Sequence, residues 1–194
     1  MRACSTLSGT NEEAFRWTED TGMVGLGDLP GDPFRSEANS ISADGTKIVG
    51  LSWVTPSDQR AFVWSETNGM IDLGTLPGEE VSEAYDVSGD GSVIVGCAPV
   101  GGGFDAVRWT EEMGIEGLVG VEGHSFAYGV STDGSTIVGV SLSEYDAAFL
   151  WKEDTGLVLL DSKWWAYAAS EYGYVIVGCN WNSQPKSAMI WDSV

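Results

Sequence analysis

The chain has few cysteines, a single histidine, few basic residues and no long apolar run. Its three cysteines are too few for a disulfide framework, and with one histidine they give no zinc-ligand spacing, so no metal site is predicted. Lys and Arg number 9 against 29 Asp and Glu, and the net charge of −20 disfavours nucleic acid and anionic lipid as partners. Because no apolar run reaches about 18 residues, membrane insertion is not expected.

The amino-terminal residues also lack the apolar segment of a signal peptide. Residues 1–4 form only a short stretch, and repeat-like sequence begins almost directly after it. From the residues alone, the expectation is either a cytoplasmic protein or a mature fragment that carries an added methionine.

An aromatic motif of the form Ala-Phe-x-Trp recurs along the whole chain, intact at residues 14–17, 61–64 and 148–151 and loosely, without the phenylalanine, at 106–109 and 188–191. The tryptophans that close it lie 47, 45, 42 and 40 residues apart, a period typical of propeller blades. The sequence therefore predicts a single repeat domain, residues 1–194. Its repeats lie at about 14–60, 61–105, 106–147 and 148–187, with a partial repeat at 188–194.

Each repeat predicts four short antiparallel strands separated by turns. In the second repeat, apolar alternation marks strands at residues 61–64 and 70–73, joined by a turn at Gly69, and strands at 84–88 and 93–97, joined by Asp90-Gly91. The Ala-x-x-(Ile/Val)-Ser strand recurs at 38–42, 84–88 and 127–131, with a weakened copy at 166–170. The Val-Gly strand recurs at 47–51, 93–97, 136–140 and 175–179. Cys97 and Cys179 occupy equivalent strand positions in different repeats, so we expect free thiols rather than a disulfide.

These patterns predict an all-β fold, a β-propeller of four to five four-stranded antiparallel blades. The chain has five tryptophan strands but four Ala-x-x-(Ile/Val)-Ser strands. Incomplete blades would therefore be shared between the amino and carboxyl termini, or a second copy would complete the ring in a homo-oligomer. By analogy with propellers, the Ala-x-x-(Ile/Val)-Ser strand is expected nearest the axis. The tryptophan rings are expected to fill the space between neighbouring blades.

At these motifs the chain resembles the HAF repeat of bacterial extracellular and autotransporter-type proteins, named for His-Ala-Phe. The resemblance rests on Ala-Phe-x-Trp, on Leu-Pro-Gly at residues 29–31 and 76–78, on Ser-x-Ala at 36–38 and 82–84, and on Gly-x-x-(Ile/Val)-Val-Gly. It implies a secreted or cell-surface location and brings no catalytic activity or cofactor. The naming histidine is replaced by Glu13, Arg60, Asp105, Ala147 and Ser187, so no role of that histidine is carried over.

Candidate ligand-binding residues lie where one repeat departs from the others. Trp164 takes a place held by serine in the other repeats, and Trp181 is matched by Trp53 but by non-aromatic residues in the middle repeats. One hypothesis is that Trp53, Trp164 and Trp181 form an apolar platform that stacks a sugar ring. The alternative is that they fill gaps between blades. Asp86 is a further candidate, because it lies within a predicted inner strand and would face a central channel.

Three functions are compatible with these patterns. The leading prediction is a non-catalytic interaction or scaffold module of a secreted or cell-surface protein, with a protein or glycan partner. The first alternative is a carbohydrate-binding propeller that uses the aromatic residues of the fourth repeat. The second is a propeller-type hydrolase, which needs paired carboxylates, whereas Asp86 stands alone and the recurrent turn acids are expected to be solvated. No catalytic residue and no cofactor are predicted.

Two further features are expected to be structural. The Asp-Gly turns carry one carboxylate each, which favours plain hairpin turns over calcium sites. His124 lies in a predicted loop and is expected to be a surface residue.

Overall fold

The computed structural model of the chain describes residues 5–6, 12–118, 123–142, 146–180 and 188–192. The regular structure in these ranges is β-strand, as the sequence predicts, and no helix occurs in them. Accordingly, the described residues contain no helix long and apolar enough to cross a membrane. Short runs of alternating side chains, interrupted by glycine turns, favour strands over helices throughout.

The strands follow one another as antiparallel meanders. Two short ladders come first, β1 (Ser5–Thr6) with β2 (Glu12–Glu13) and β3 (Phe15–Thr18) with β4 (Gly22–Gly25). Sheet A consists of β5 (Ser36–Ile41), β6 (Ile48–Trp53), β7 (Gln59–Ser65) and β8 (Gly69–Asp72). Sheet B consists of β9 (Glu83–Val87), β10 (Val93–Val100), β11 (Gly103–Thr110) and β12 (Gly114–Gly117). Sheet C consists of β13 (His124–Val130), β14 (Ile137–Leu142), β15 (Ala147–Lys152) and β16 (Gly156–Ser162), and sheet D of β17 (Trp164–Ala169), β18 (Val175–Asn180) and β19 (Ala188–Asp192).

Each sheet combines strands from two successive sequence repeats. Sheet A takes β5 and β6 from the first repeat and β7 and β8 from its boundary with the second. The strand predicted at 61–64 is longer in the structure, because pairing with β6 continues as far as Gln59 opposite Trp53. The strands predicted at 47–51 and 136–140 begin one residue later in the structure, at Ile48 and Ile137.

The hairpin between the first and second strands is closed by the predicted Ser-x-Asp-Gly turn. In sheet B, Gly91 has a φ of +72°, and Ser88 Oγ donates to Asp90 Oδ1 at 2.8 Å. Hydrogen bonds from the side chain and N–H of Ser92 and from Ser88 lower the pKa of Asp90 to about 2. The carboxylate is thus occupied within the turn. No group of three or more His, Cys, Asp and Glu residues is placed to hold a metal ion within the described ranges.

Alternation along each strand sends neighbouring side chains to opposite faces of the sheet. In β10, Ile94 packs in the cluster between sheets A and B, whereas Val95 packs in the cluster between sheets B and C. In β11, Trp109 joins the first of these clusters and Ala106 the second. One such apolar cluster lies at each junction, including the junctions between β3–β4 and sheet A and between sheets C and D.

The tryptophans of the recurrent motif pack between sheets, as predicted, wherever a sheet precedes them. Trp64 and Trp109 are buried in these clusters, and Trp151 and Trp191 pack against them. Trp17 contradicts the prediction, since it is 64% exposed. Its face of the β3–β4 ladder points away from sheet A, and the described residues leave that face uncovered.

A buried serine forms hydrogen bonds across the first three junctions, which lead into sheets A, B and C. Ser82 Oγ, at the start of the first strand of sheet B, accepts the N–H of Ala61 at 3.0 Å and donates to the carbonyl of Gly74 at 2.8 Å. Ser36 makes the same two contacts with the preceding ladder, at 3.0 Å and 2.6 Å. The serine of the Ser-x-Ala motif therefore ties the beginning of one sheet to the third strand of the sheet before it.

The first strands of successive sheets lie side by side, which confirms that they form the inner edge of the array. Strands β5, β9, β13 and β17 each contact the next in the series. Hydrogen bonds connect them directly: Asn39 Nδ2 donates to the carbonyl of Ala84 at 2.8 Å, and the N–H of Gly89 donates to the carbonyl of Thr132 at 2.8 Å.

Each first strand contains a β-bulge opposite the glycine of the Val-Gly pair. In sheet B, Gly96 pairs with Ala84 and Val95 with Asp86, so Tyr85 is the extra residue. A Cβ on Gly96 would lie 1.8 Å from the carbonyl oxygen of Glu83, closer than any side chain tolerates. The same approach occurs at Gly50, Gly139 and Gly178, where the extra residues are Asn39, Tyr128 and Tyr167.

Two matched substitutions test the packing at the junctions. Trp109→Ala should lower the free energy of unfolding by about 3–5 kcal/mol, because it leaves a cavity between sheets A and B. Trp17→Ala removes the same side chain from an exposed face and should cost less than about 1 kcal/mol. Urea unfolding followed by circular dichroism measures both, and equal losses would contradict the proposed packing.

Candidate functional site

The bulges direct side chains into a cleft on the inner edge of the sheets. All four extra residues, Asn39, Tyr85, Tyr128 and Tyr167, line this cleft, which has a volume of about 750 Å³. Such a volume is in the range of small-molecule sites. We call it the inner cleft; its other lining residues are Arg35, Glu37, Leu51, Trp53, Gln59 and Glu83.

Aromatic rings form one side of the inner cleft, with Tyr128 at their centre. Its ring centroid lies 5.6 Å from that of Tyr85 and 5.4 Å from that of Tyr167, with the planes inclined by 35° and 39°. Tyr128 also stacks between Phe126, at 6.1 Å, and Trp165, at 6.0 Å. The three tyrosines come from sheets B, C and D, and their rings lie side by side along the inner cleft.

Glu83 places a carboxylate beside these rings. Its Oε2 accepts a hydrogen bond from the Tyr85 hydroxyl at 2.8 Å, and its Oε1 accepts one from the Gln59 side chain. Among the ion pairs formed by the described residues, none involves Glu83. The carboxylate is therefore held in position by neutral donors, which leave its negative charge without a cationic side chain.

The Tyr85 hydroxyl and the Cys97 thiol meet behind the cleft, with the oxygen 3.2 Å from the sulfur. Burial is the main cause that raises the pKa of Tyr85, and the neighbouring Cys97 and Glu83 add to it. Burial likewise raises the pKa of Cys97 to about 12. Both groups are thus protonated at neutral pH, so Cys97 is not a reactive thiolate. Cys97 and Cys179 are free thiols, as expected.

Arg35 occupies the other side of the inner cleft and covers Trp53. The guanidinium carbon lies 3.8 Å from the centroid of the Trp53 ring. The same guanidinium pairs with Glu12 at 2.7 Å and with Glu37 at 3.2 Å. One face of Trp53 is consequently occupied by a side chain of the chain itself and does not offer a free platform to a sugar ring.

The other predicted tryptophans do not join Trp53 in the described structure. Trp164 packs edge-on against Trp191 at 6.1 Å, within the apolar contacts between sheets C and D, and does not line the inner cleft. Its placement agrees with the alternative interpretation, in which the ring fills a gap between sheets. Trp181 lies outside the described residues.

Asp86 lies on an inner strand as expected, but both oxygens of its carboxylate accept hydrogen bonds from neighbouring strands. Oδ1 accepts a hydrogen bond from Ser40 Oγ at 2.7 Å, and Oδ2 accepts the N–H of Val130 at 3.0 Å. Asp86 therefore connects the first strands of sheets A, B and C. It does not line the inner cleft.

The four glutamates two positions after Trp17, Trp64, Trp109 and Trp151 are exposed, but three of them pair with cations of another sheet. Glu66 and Glu153 meet Arg16 and Arg108 at 3.0 Å and 2.7 Å. The same arginines lie over the rings of Trp64 and Trp151, at 5.1 Å and 4.4 Å from the centroids. Glu111 meets Lys47 at 3.3 Å. These contacts stabilise the outer parts of the junctions modestly, since the carboxylates are largely solvated.

Comparison with known proteins was made at the level of sequence and of structure. No protein-family model matches the chain, and no curated protein matches it by sequence. TolB from Acinetobacter baumannii superposes with a TM-score of 0.65 at 16% identity, covering 94% of this chain and 46% of that one. A TolB-like protein from Agrobacterium tumefaciens gives 0.65 at 18%, covering 93% and 76%. A puromycin hydrolase variant gives 0.62 at 18%, covering 90% and 29%.

The chain has a propeller-type fold. It contains several four-stranded antiparallel sheets, and it spans less than half the length of the Acinetobacter TolB. At identities below 20%, the likeness shows the arrangement of strands and carries no activity from these proteins to this one.

Apart from Trp53, the residues that build the inner cleft were not singled out from the sequence. Tyr85, Tyr128 and Tyr167 occupy the same position of the Ala-x-x-(Ile/Val)-Ser strand, and such recurrence suggested a structural role. The available signal was the residue type: a tyrosine follows alanine in three repeats on the strand expected nearest the axis. Only the bulge, which alternation does not predict, turns that position toward the cleft.

The role assigned to Asp86 can be tested by truncation. Asp86→Ala leaves the buried N–H of Val130 without its acceptor, so the free energy of unfolding should fall by about 1–3 kcal/mol. Ser40→Ala removes one donor and leaves that bond intact, so it should cost less. If the Asp86→Ala variant unfolds at the same urea midpoint as the unmodified chain, the carboxylate does not hold the inner strands together.

Proposed function

We propose that this chain is a non-catalytic binding module of a secreted or cell-surface protein and that the inner cleft is its binding surface. The observation that supports this most directly is the recurrent bulge. In four successive first strands it turns an extra side chain out of the ladder, and all four side chains line one cleft. Bulges commonly re-aim side chains in this way beside functional sites.

The chemistry of the cleft suits reversible binding better than covalent catalysis. The ten described residues that line it include no serine, cysteine or histidine, so they supply no nucleophile with a histidine base. The two carboxylates are also unlike an acid and base pair. Glu37 is paired with Arg35, and Glu83 accepts hydrogen bonds from Tyr85 and Gln59. A general acid would instead need a carboxyl in an apolar setting that keeps it protonated.

The secreted or cell-surface location in this proposal comes from the resemblance to HAF repeats. The structure accounts for the motifs on which that resemblance rests. The serine of Ser-x-Ala bonds across a junction, and the glycine of Val-Gly admits the bulge. Both contacts are needed to build the repeat and do not depend on where the protein is located. The proposed location is therefore supported only by the resemblance of the sequence pattern. Detection of the protein on intact cells with a non-permeant biotin reagent would test it.

A carbohydrate-binding function is a second candidate, and the aromatic surface around Tyr128 favours it. Half-buried rings inclined toward one another offer flat apolar faces, and Asn39 and Gln59 add amide groups at the cleft. This surface takes the place of the platform predicted from Trp53, Trp164 and Trp181.

The proposal is tested by comparing two variants against panels of glycans and of cell-surface proteins. At least one ligand should bind the unmodified chain, and Tyr128→Leu should weaken that binding about ten-fold or more, as expected of a central aromatic contact. Met113→Glu alters an exposed residue of a turn and should leave binding unchanged. Mass spectrometry should recover the ligand unaltered. Ligands retained equally by both variants, or a released hydrolysis product, would refute the proposal.

A second copy of the chain is the proposed partner for the two free sheet faces. At each internal junction, the face of one sheet that carries the alanine equivalent to Ala106 packs against the face of the next sheet that carries an isoleucine and the repeat tryptophan. Sheet D exposes Val177 and Ile190, whereas the β3–β4 ladder exposes Trp17. These are the two halves of the same kind of junction, so head-to-tail contact between copies would bury both.

Light scattering after size-exclusion chromatography tests this association. The unmodified chain should elute as a defined species of at least twice its 20.6 kDa mass. Trp17→Glu should give the monomer, because it places a charge in the contact, whereas the control Met113→Glu is equally exposed and should not change the mass. A monomer at every concentration of the unmodified chain would exclude the second copy as partner.

A further inference from the structure

The inner cleft differs from the other places where this chain brings a ring and a carboxylate together. Arginine lies over Trp53, Trp64 and Trp151, and each of these arginines also pairs with at least one glutamate. Ring, carboxylate and cation thus recur as a unit. Beside Tyr128, the ring and the Glu83 carboxylate are present, and no described Lys or Arg pairs with that carboxylate.

We propose that the inner cleft binds an alkylammonium group, with its charge against Glu83 and its methylene carbons against the rings of Tyr85, Tyr128 and Tyr167. The inference rests on the proposed function, because it names the ligand class of the same cleft. A lysine side chain of a basic protein and a free polyamine share this chemistry, and both are compared in the test below.

The local charges favour a cation over a neutral sugar. Arg35, the one cationic side chain among the described residues that line the cleft, is already paired with Glu12 and Glu37. Glu83 therefore contributes a negative charge that neutral donors orient without compensating. A cation would gain both the Coulomb attraction of this carboxylate and the attraction of the ring faces, whereas a neutral sugar would gain hydrogen bonds and contact with the rings but no Coulomb attraction.

The shape of the aromatic surface fits an extended chain that ends in a charge. The rings of Tyr85 and Tyr167 are inclined to that of Tyr128 by 35° and 39°, so they flank it rather than stack flat upon it. The net charge of −20 would also raise the local concentration of cations and speed their association at low salt. Long-range attraction alone gives no specificity, which is why the variants below separate it from the cleft.

The experiment is isothermal titration of the full chain with spermidine, tetralysine and a neutral glucose tetrasaccharide, at low and at moderate salt. Spermidine or tetralysine should bind saturably, and the tetrasaccharide should not. Glu83→Gln should weaken amine binding by about ten-fold or more, because it removes the charge that contacts the ammonium group. Glu19→Gln removes the same charge from an exposed turn and should weaken it by less than about two-fold.

Two changes at one position separate the ring from the hydroxyl. Tyr128→Phe keeps the ring and should retain binding within about three-fold, whereas Tyr128→Leu should lose about ten-fold or more. Thermal unfolding by circular dichroism verifies that each variant is folded. Binding of spermidine but not tetralysine would indicate a free polyamine, the reverse would indicate a lysine of a protein, and both results support the alkylammonium assignment.

Three results would overturn the inference. The first is that neither amine binds saturably. The second is that Glu83→Gln and Glu19→Gln weaken amine binding equally, which would show attraction to the overall charge. The third is that the tetrasaccharide binds through Tyr128 while the amines do not bind. The last result would refute the ligand class and support the proposed function in its carbohydrate-binding form. The two conclusions can therefore fail separately.

Discussion

Packing of one sheet face against the next is the interaction on which the rest of this structure depends. No sheet buries both of its faces alone, because alternate residues of every strand point to opposite sides. Ile94 faces backward to sheet A and Val95 forward to sheet C, and the same division holds for the equivalent pairs of the other sheets. A repeat therefore gains most of its apolar stabilisation from its neighbours, as is general for repeat proteins.

The inner cleft is a by-product of how the first strand fits this packing. Glycine at position 96 lets the carbonyl of Glu83 approach the second strand, where any Cβ would collide with it. The strand accommodates an extra residue there, and that residue leaves the alternating pattern. Tyr85 consequently points toward the cleft. A glycine required by packing thus also determines where the aromatic side chains of three sheets meet.

Charge is arranged differently at the outer and inner parts of the sheets. At the outer turns, Glu66 and Glu153 are paired with arginines that lie on tryptophan rings, so charge joins sheet to sheet. At the inner edge, the Asp86 carboxylate accepts hydrogen bonds from Ser40 and Val130. The Glu83 carboxylate is instead oriented by neutral donors beside the tyrosine rings. The same acidic residue type therefore has a packing role in one place and forms part of the candidate site in another.

The sequence by itself determined the repeat, the four-strand unit, the glycine turns and the packing of four of the five repeat tryptophans between sheets, because these follow from local spacing and alternation. It also placed Asp86 on an inner strand. The tertiary structure decided the rest. Trp17 is exposed because burial depends on a neighbouring sheet, and Trp53 is covered because Arg35 reaches it from another strand. The tyrosine cleft exists only through bulges that align residues about 40 positions apart, a relation between strands that no local pattern encodes.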